Sequence, residues 1–347
     1  MRKKIISDII ALFVSLLATF FIVSVIILLT GKDPIFIFGK MFGEVFGTGY
    51  GFGQTLFKTT PLIICGCGIA VCFHASLFNI GAEGQLNAGA FVVSLIPLYM
   101  SDLPPILTIT VALISGFIVS GIFGIIPAVI KIRKGVSEVI TTIMMNFVVL
   151  ALLNFFLNYY FAVPSTVRTN NVSENFMIPK FSEYFPFFQG SSLNFTLFVA
   201  LAVAILTYIL IYKTKFGYYI RAVGYNETAS KYIGVKVNRI LFTAFFVGAG
   251  VTSLVGMNFI LGYKGYYELG FSNNLGFTAI AVSLLARNHP IGIIFSAFLF
   301  GILDFGGLSV NEFIPKELML VVQAVVILSI LTVNKFFENL SHKLNWN

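Results

Sequence analysis

The chain reads as an all-α integral membrane protein, and three observations carry that reading. Hydrophobic residues make up 58% of the 347 and charged residues only 10%, with a mean hydropathy of +0.94. A water-soluble domain could not hide that much apolar surface in one core. The apolar residues also gather in runs that approach the roughly 20 needed to cross a hydrocarbon core as a helix. The short segments between the runs hold most of the charge. No polar low-complexity tract and no soluble block long enough for a second domain interrupts them, so residues 1–347 are expected to form a single transmembrane domain.

Ten passes follow from the apolar runs, at 9–31, 59–78, 86–100, 106–130, 139–163, 193–212, 240–262, 273–286, 291–311 and 315–333. The first opens after Met1-Arg2-Lys3-Lys4, but its run exceeds a signal core of about 7–15 residues and no Ala-x-Ala site follows, which predicts a retained helix. The third and eighth are short enough to be re-entrant or discontinuous helices. Passes two to five begin on one side and seven to ten on the other, which allows an inverted repeat about pass six, with a solute route where the halves meet.

Formal charge is +8, yet the basic residues sit in short clusters between apolar runs, as topology signals do, which argues against a nucleic-acid surface. Counted from a cytoplasmic N-terminus, 15 of the 22 Lys and Arg fall on the inner side, including Arg2–Lys4, Lys131–Lys134 and Lys213–Arg239. Both termini are therefore expected in the cytoplasm. Cys65, Cys67 and Cys72 share one apolar run without companion ligands and are expected to be buried, inert thiols. Gly116, Gly121, Gly124, Gly248 and Gly250 are expected to let helices approach closely. Most of the 39 Phe are expected to face lipid or core.

Between Phe78 and Ala90 the chain turns small and polar, Phe-Asn-Ile-Gly-Ala-Glu-Gly-Gln-Leu-Asn-Ala-Gly-Ala, with the carboxylate Glu83 between two apolar runs. Irregular backbone and charge at bilayer depth sit inside protein or line a path. Asn79, Glu83, Gln85 and Asn87 are thus candidates either to hydrogen-bond a passing solute or to lock the break. Glu138 and Asn146 lie eight residues apart with Thr142 between them, a spacing that puts all three on one helix face, for a helix contact or a pore lining. Asp304 is an acid deep in a late span and is read as functional or as paired with a neighbouring helix. His74, without a second ligand nearby in sequence, is expected to be packed and hydrogen-bonded rather than metal-bound; no metal site is expected.

The polar segment 213–239 carries a helix start after Gly224. Asn226 suits the N-cap, Glu227 the first turn, and Ala229, Tyr232 and Ile233 fall on one apolar face before Gly234 ends the helix. A short amphipathic helix bounded by glycines suits insertion into a groove on a partner protein.

These segments carry a resemblance. Phe78-Asn-Ile-Gly-Ala-Glu-Gly-Gln together with Arg221-Ala-Val-Gly-Tyr-Asn-Glu-Thr-Ala-Ser-Lys-Tyr-Ile-Gly-Val resembles the permease subunits of bacterial ABC importers, in the family of branched-chain amino acid, ribose and nucleoside permeases. Gly135-Val-Ser-Glu-Val-Ile-Thr-Thr-Ile-Met-Met-Asn-Phe is most similar to its nucleoside and simple-sugar branch. The resemblance runs over roughly 10–335. It implies that Gly224, Asn226, Glu227, Ala229, Lys231 and Gly234 belong to a coupling helix that docks on a separate nucleotide-binding ATPase, with ATP and Mg held in that partner. It further implies a second permease, identical or homologous, an external solute-binding lipoprotein, a nucleoside substrate and a place in the bacterial cytoplasmic (inner) membrane among its lipids. Ser230, where relatives commonly have Ala, and Asp304 depart from the pattern.

The chain has no Gly-x-x-x-x-Gly-Lys-Ser/Thr phosphate loop, so it is expected to be a transport subunit without a cofactor or catalytic residues of its own. The external loop 164–194, with Pro164, Pro179 and Pro186, and the Gly- and Phe-rich stretch 32–58 are candidate docking surfaces for the binding protein; Gly43 to Gly53 suggests turns or a short surface helix. Two alternatives stay open at this point: a ribose or other simple-sugar permease, and an ion- or proton-coupled carrier using Glu83 and Asp304.

Overall fold

The computed structural model describes residues 2–343. Met1 and 344–347 lie outside the described residues, as do the side chains of Arg2, Lys3, Lys4, Lys316, Lys335 and Lys343 that entered the charge count. In chain order the helices are α1 (Arg2–Leu29), α2 (Pro34–Phe46), α3 (Gly49–His74), α4 (Ala82–Tyr99), α5 (Pro105–Lys134), α6 (Glu138–Phe156), α7 (Thr196–Lys213), α8 (Lys215–Tyr225), α9 (Glu227–Tyr232), α10 (Val237–Thr252), α11 (Leu275–Leu285), α12 (Pro290–Ser309) and α13 (Lys316–Lys343). π-helical turns at Leu157–Phe161 and Met257–Lys264 continue α6 and α10. Only isolated bridges, and no strand, occur among the described residues, so the chain is an all-α membrane protein.

Ten helical stretches match the ten apolar runs, but ten crossings are not confirmed among the described residues. Among the described residues six helices are long and apolar enough to cross, and a seventh crossing results if Leu17–Leu29 and Pro34–Phe46, bent by 114°, count as one span. The physical reasons differ. α4 spends its first turns on Glu83, Gln85 and Asn87, whereas α11 has 11 residues, about 16 Å of helix against a hydrocarbon core of about 30 Å.

The chain divides into two compact units, residues 1–55 with 299–347, and residues 56–298. In the first, α1 packs along α13. Asp33 caps α2 by accepting from Ile35 N over 2.9 Å, and Ile37, Met41 and Val45 bury one stripe of that helix. The Gly43–Gly53 segment is helical apart from residues 47 and 48, because glycines 49, 51 and 53 fall inside the first turns of α3. In the second unit α3 and α4 are enclosed. Ile63, Ile64, Cys65, Cys67, Ile69 and Cys72 are all buried, the three thiols free.

Glycines make the seams of this unit. A Cβ on Gly116 would lie 3.0 Å from Gly89 O, one on Gly124 2.5 Å from the Ala249 Cβ, and one on Gly250 2.6 Å from the Phe117 ring. At Gly248 it would meet Cys72 Sγ at 2.5 Å and Gly68 O at 2.7 Å, so α3 and α10 touch backbone to backbone. Gly248→Val is therefore expected to cost about 1–3 kcal/mol by overpacking, read as a lower melting temperature of the detergent-purified protein. An unchanged melting temperature would show that the seam opens freely.

Candidate functional site

The backbone break is shorter than the polar run that announces it. α3 ends at His74, Ser76 adopts φ +53, and α4 begins at Ala82, so Glu83 to Ala90 are helical rather than irregular. The run reads as a break because Gly, Asn and Glu are poor apolar helix material, yet every residue from Ala82 to Phe91 is buried and its polar groups are satisfied by neighbours. Asn79 and Gln85 pair their carboxamides reciprocally, Asn79 Nδ2 to Gln85 Oε1 over 2.8 Å and Gln85 Nε2 to Asn79 Oδ1 over 3.1 Å. Asn79 Oδ1 also accepts from Gly81 N at 3.1 Å, and Ser120 Oγ donates to Gln85 O.

The predicted face of α6 holds the break along its length. Glu138 is hydrogen-bonded by the Phe78 backbone and ion-paired with Lys131 at 2.9 Å. Thr142 Oγ1 accepts from Ile80 N at 3.2 Å. Asn146 donates to Ile80 O at 2.9 Å and accepts from Gly84 N at 2.8 Å. One of the N–H groups that the start of α4 leaves without an intrahelical partner is thereby supplied by a side chain two helices away in sequence.

Glu83 reaches the other way, to the start of α11. Its Oε2 accepts from Gly276 N over 2.7 Å, and its Oε1 accepts from Ser272 Oγ. Asn87 Nδ2 closes the cluster, donating to Glu83 O at 2.8 Å and Ser272 Oγ at 2.9 Å; Tyr267 Oη donates to Asn87 Oδ1 at 3.3 Å. Burial raises the Tyr267 phenol above its ordinary value, keeping it a donor. A carboxylate aimed at backbone N–H groups of a helix start is favoured by the helix dipole, so Glu83 of α4 caps α11 in trans. Glycine at 276 makes this approach feasible: a Cβ there would lie 2.5 Å from Glu83 N.

The 213–239 segment contains two helices, not one helix in a loop. Thr214 caps α8 by accepting from Gly217 N at 3.0 Å, and Gly217, Ile220 and Val223 are buried. Asn226 Oδ1 then accepts from Ala229 N at 2.9 Å, the N-cap bond that starts α9, and Gly234 turns the chain at φ +86. Asn226, Glu227, Ala229 and Lys231 are exposed, as are Tyr232 at 88% and Ile233 at 71%. Only Ser230 of α9 is buried. The apolar face of α9 thus points outward, without a partner within the described residues.

A family model described as "Branched-chain amino acid transport system / permease component" matches residues 51–331. The chain belongs to this permease family. It is 32% identical to the nucleoside ABC transporter permease protein NupB of Lactococcus lactis, over 89% of this chain and 86% of that one. It is 32% identical to the guanosine ABC transporter permease protein NupP of Bacillus subtilis, over 80% and 79%, and 28% identical to the glucose ABC transporter permease protein TsgB13 of Haloferax volcanii, over 93% and 87%. All three relatives are named as ABC transporter permeases, which does not favour the ion- or proton-coupled carrier.

In this permease the residues picked from sequence separate into three places. Asn79, Glu83, Gln85, Asn87, Glu138 and Asn146 lie along the break and the start of α4 in separate hydrogen-bonded sets; Gly224 to Gly234 form the α8–α9 junction and α9; Asp304, part-buried on α12, lies in the other compact unit. Among the described residues no group of three His, Cys, Asp or Glu could hold a metal, and His74 Nε2 lies 3.1 Å from Asn288 O. The residues that sequence reasoning missed are Ser272, Gly276, Tyr267 and Ser120. A signal for the first two exists: Ser272-Asn-Asn ahead of an apolar run is a helix-start pattern. The permease's 164–194 loop is stitched to the segment carrying Tyr267, through Thr169 N to Tyr267 O at 2.9 Å, Val172 N to Gly265 O at 2.6 Å and Ile178 N to Leu261 O at 2.7 Å.

Proposed function

We propose that this permease is the membrane subunit of an ATP-driven nucleoside importer in the bacterial cytoplasmic membrane, with both termini in the cytoplasm. The observation that carries the cargo is the 32% identity, over at least 80% of this chain, to two permeases named for nucleoside and guanosine transport; the glucose relative is more distant at 28%. In this reading α9 is the coupling helix. Its outward Tyr232 and Ile233 enter a cleft on a separate ATPase, which holds ATP and Mg, while Asn226 and Glu227 keep the helix start ordered and polar. A second permease completes the pathway, and the 164–194 loop and the 32–58 stretch receive an external solute-binding lipoprotein. Asn79, Glu83, Gln85, Asn87, Glu138 and Asn146 shape the route at the break by fastening α4 to α6 and α11.

Uptake of labelled guanosine, adenosine, cytidine, ribose and glucose by matched cells with and without this chain tests the cargo. Loss of nucleoside uptake alone is expected; loss of sugar uptake alone would replace the cargo. Docking has its own test. Tyr232→Asp with Ile233→Asp changes two exposed side chains and should leave stability within about 0.5 kcal/mol, while co-purification of the ATPase falls about tenfold as a buried apolar anchor is lost. Undiminished co-purification and uptake would remove α9 from the docking surface.

A further inference from the structure

Gly224 differs from the other residues of the coupling segment. It lies in the last turn of α8, and the side where a Cβ would project faces the α3–α4 break: that atom would meet His74 O at 2.1 Å, the His74 carbonyl carbon at 3.0 Å and Ser76 N at 3.2 Å. Ser76 Oγ donates to Gly224 O over 2.7 Å. Ser76 itself holds φ +53, a backbone region costly for a residue with a side chain, so the bond to Gly224 helps keep the break in this shape. His74, at the same point, contacts Asn288 O, and Asn288 Oδ1 accepts from Ser283 Oγ of α11 at 3.1 Å. The end of α8, the start of the break and the corner after α11 therefore meet at one place. The break leads within a few residues to Asn79 and Glu83.

We infer that Gly224 and Ser76 form the joint through which displacement of α8 and α9 moves the α3–α4 break. The reason is mechanical. A contact between long side chains absorbs a shift of an ångström by changing rotamers, whereas two backbones in van der Waals contact, with a hydrogen bond across them, move together or separate. Gly224 acts here as a positioning residue inside the permease and not as a surface for the ATPase. The inference rests on the importer reading above.

The experiment uses the full complex of permease, ATPase and binding protein in liposomes and measures guanosine moved per ATP hydrolysed, a ratio that a general loss of folded protein does not change. In Gly224→Ala, ATPase co-purification and hydrolysis are expected to stay within about twofold, while the ratio falls about tenfold; in Ser76→Ala, which removes only the hydroxyl bond, it falls about threefold. An unchanged ratio in both variants overturns the joint. So does loss of the ATPase from Gly224→Ala with a normal ratio in Ser76→Ala, since Gly224 would then act at the docking surface. Where Gly224→Ala does not accumulate, the Ser76→Ala ratio alone decides. Failure of the importer reading shows separately, as an unsubstituted chain that retains no ATPase and moves no guanosine on ATP.

Discussion

Glu83→Ala is expected to abolish uptake and to destabilise the permease by about 2–5 kcal/mol, since each buried donor left without an acceptor costs about 1–3 kcal/mol. The loss is larger than that of one bond because two donors are stranded, Gly276 N and Ser272 Oγ, while the Asn87 carboxamide keeps its bonds to residue 83 O, Ser272 Oγ and Tyr267 Oη. The stranded donors lie in a cluster where Glu83, Asn87 and Ser272 are all at most 5% exposed, so bulk solvent does not satisfy them. Glu83→Gln separates charge from shape. Its carbonyl oxygen can still accept from Gly276 N while its amide faces Ser272, a hydroxyl able to accept, so a loss of about 1–2 kcal/mol is expected. Melting temperature and guanosine uptake of the two variants check this, and a Glu83→Ala protein as stable as the unsubstituted one would mean the trans cap contributes nothing.

Gly276→Val attacks the same contact from the other side. The first added carbon would sit 2.5 Å from Glu83 N and 2.6 Å from its Cα, backbone atoms of a helix held from behind by Asn146. Neither helix can yield by a rotamer change, so α11 must withdraw and its N–H leaves Glu83. Uptake is expected to fall below a tenth, with a stability loss of about 3 kcal/mol or more from overpacking and the stranded carboxylate together. Because both substitutions break one junction, the double variant Glu83→Ala, Gly276→Val should fall short of the sum of the singles by about 1 kcal/mol or more. Additive losses would show that the two residues act separately.

What was legible from the chain divides along a physical line. Local signals read correctly: Asn226 is the N-cap of α9, Gly234 ends it, and the seam glycines face neighbouring helices. The shared face of Glu138, Thr142 and Asn146 also follows from helical period, although its use in holding the break does not. The failures come from long-range satisfaction. Residues 82–90 look irregular because the sequence shows their polar groups but not Asn146, Ser272 or Ser120, which make a helix affordable there. α8 escaped notice because its glycines, Gly217 and Gly224, serve close approach to the α7 C-terminus and to the break rather than ending a helix. Ten crossings were expected from apolar runs alone, which cannot tell a lipid-facing span from a short helix enclosed by protein.

The partners of α4 are also made at different times. Asn146 lies 62 residues beyond Gly84, but Ser272 lies 189 beyond Glu83 and Gly276 lies 193 beyond it. At synthesis rates of about 5–20 residues per second, the α6 cap is available within roughly 3–12 s, whereas the carboxylate waits roughly 10–40 s for α11 to leave the ribosome. The first half of this chain is therefore complete while the Glu83 carboxylate still lacks the groups that cap it, and the junction of α4 with α11 can close only after the second half has been made.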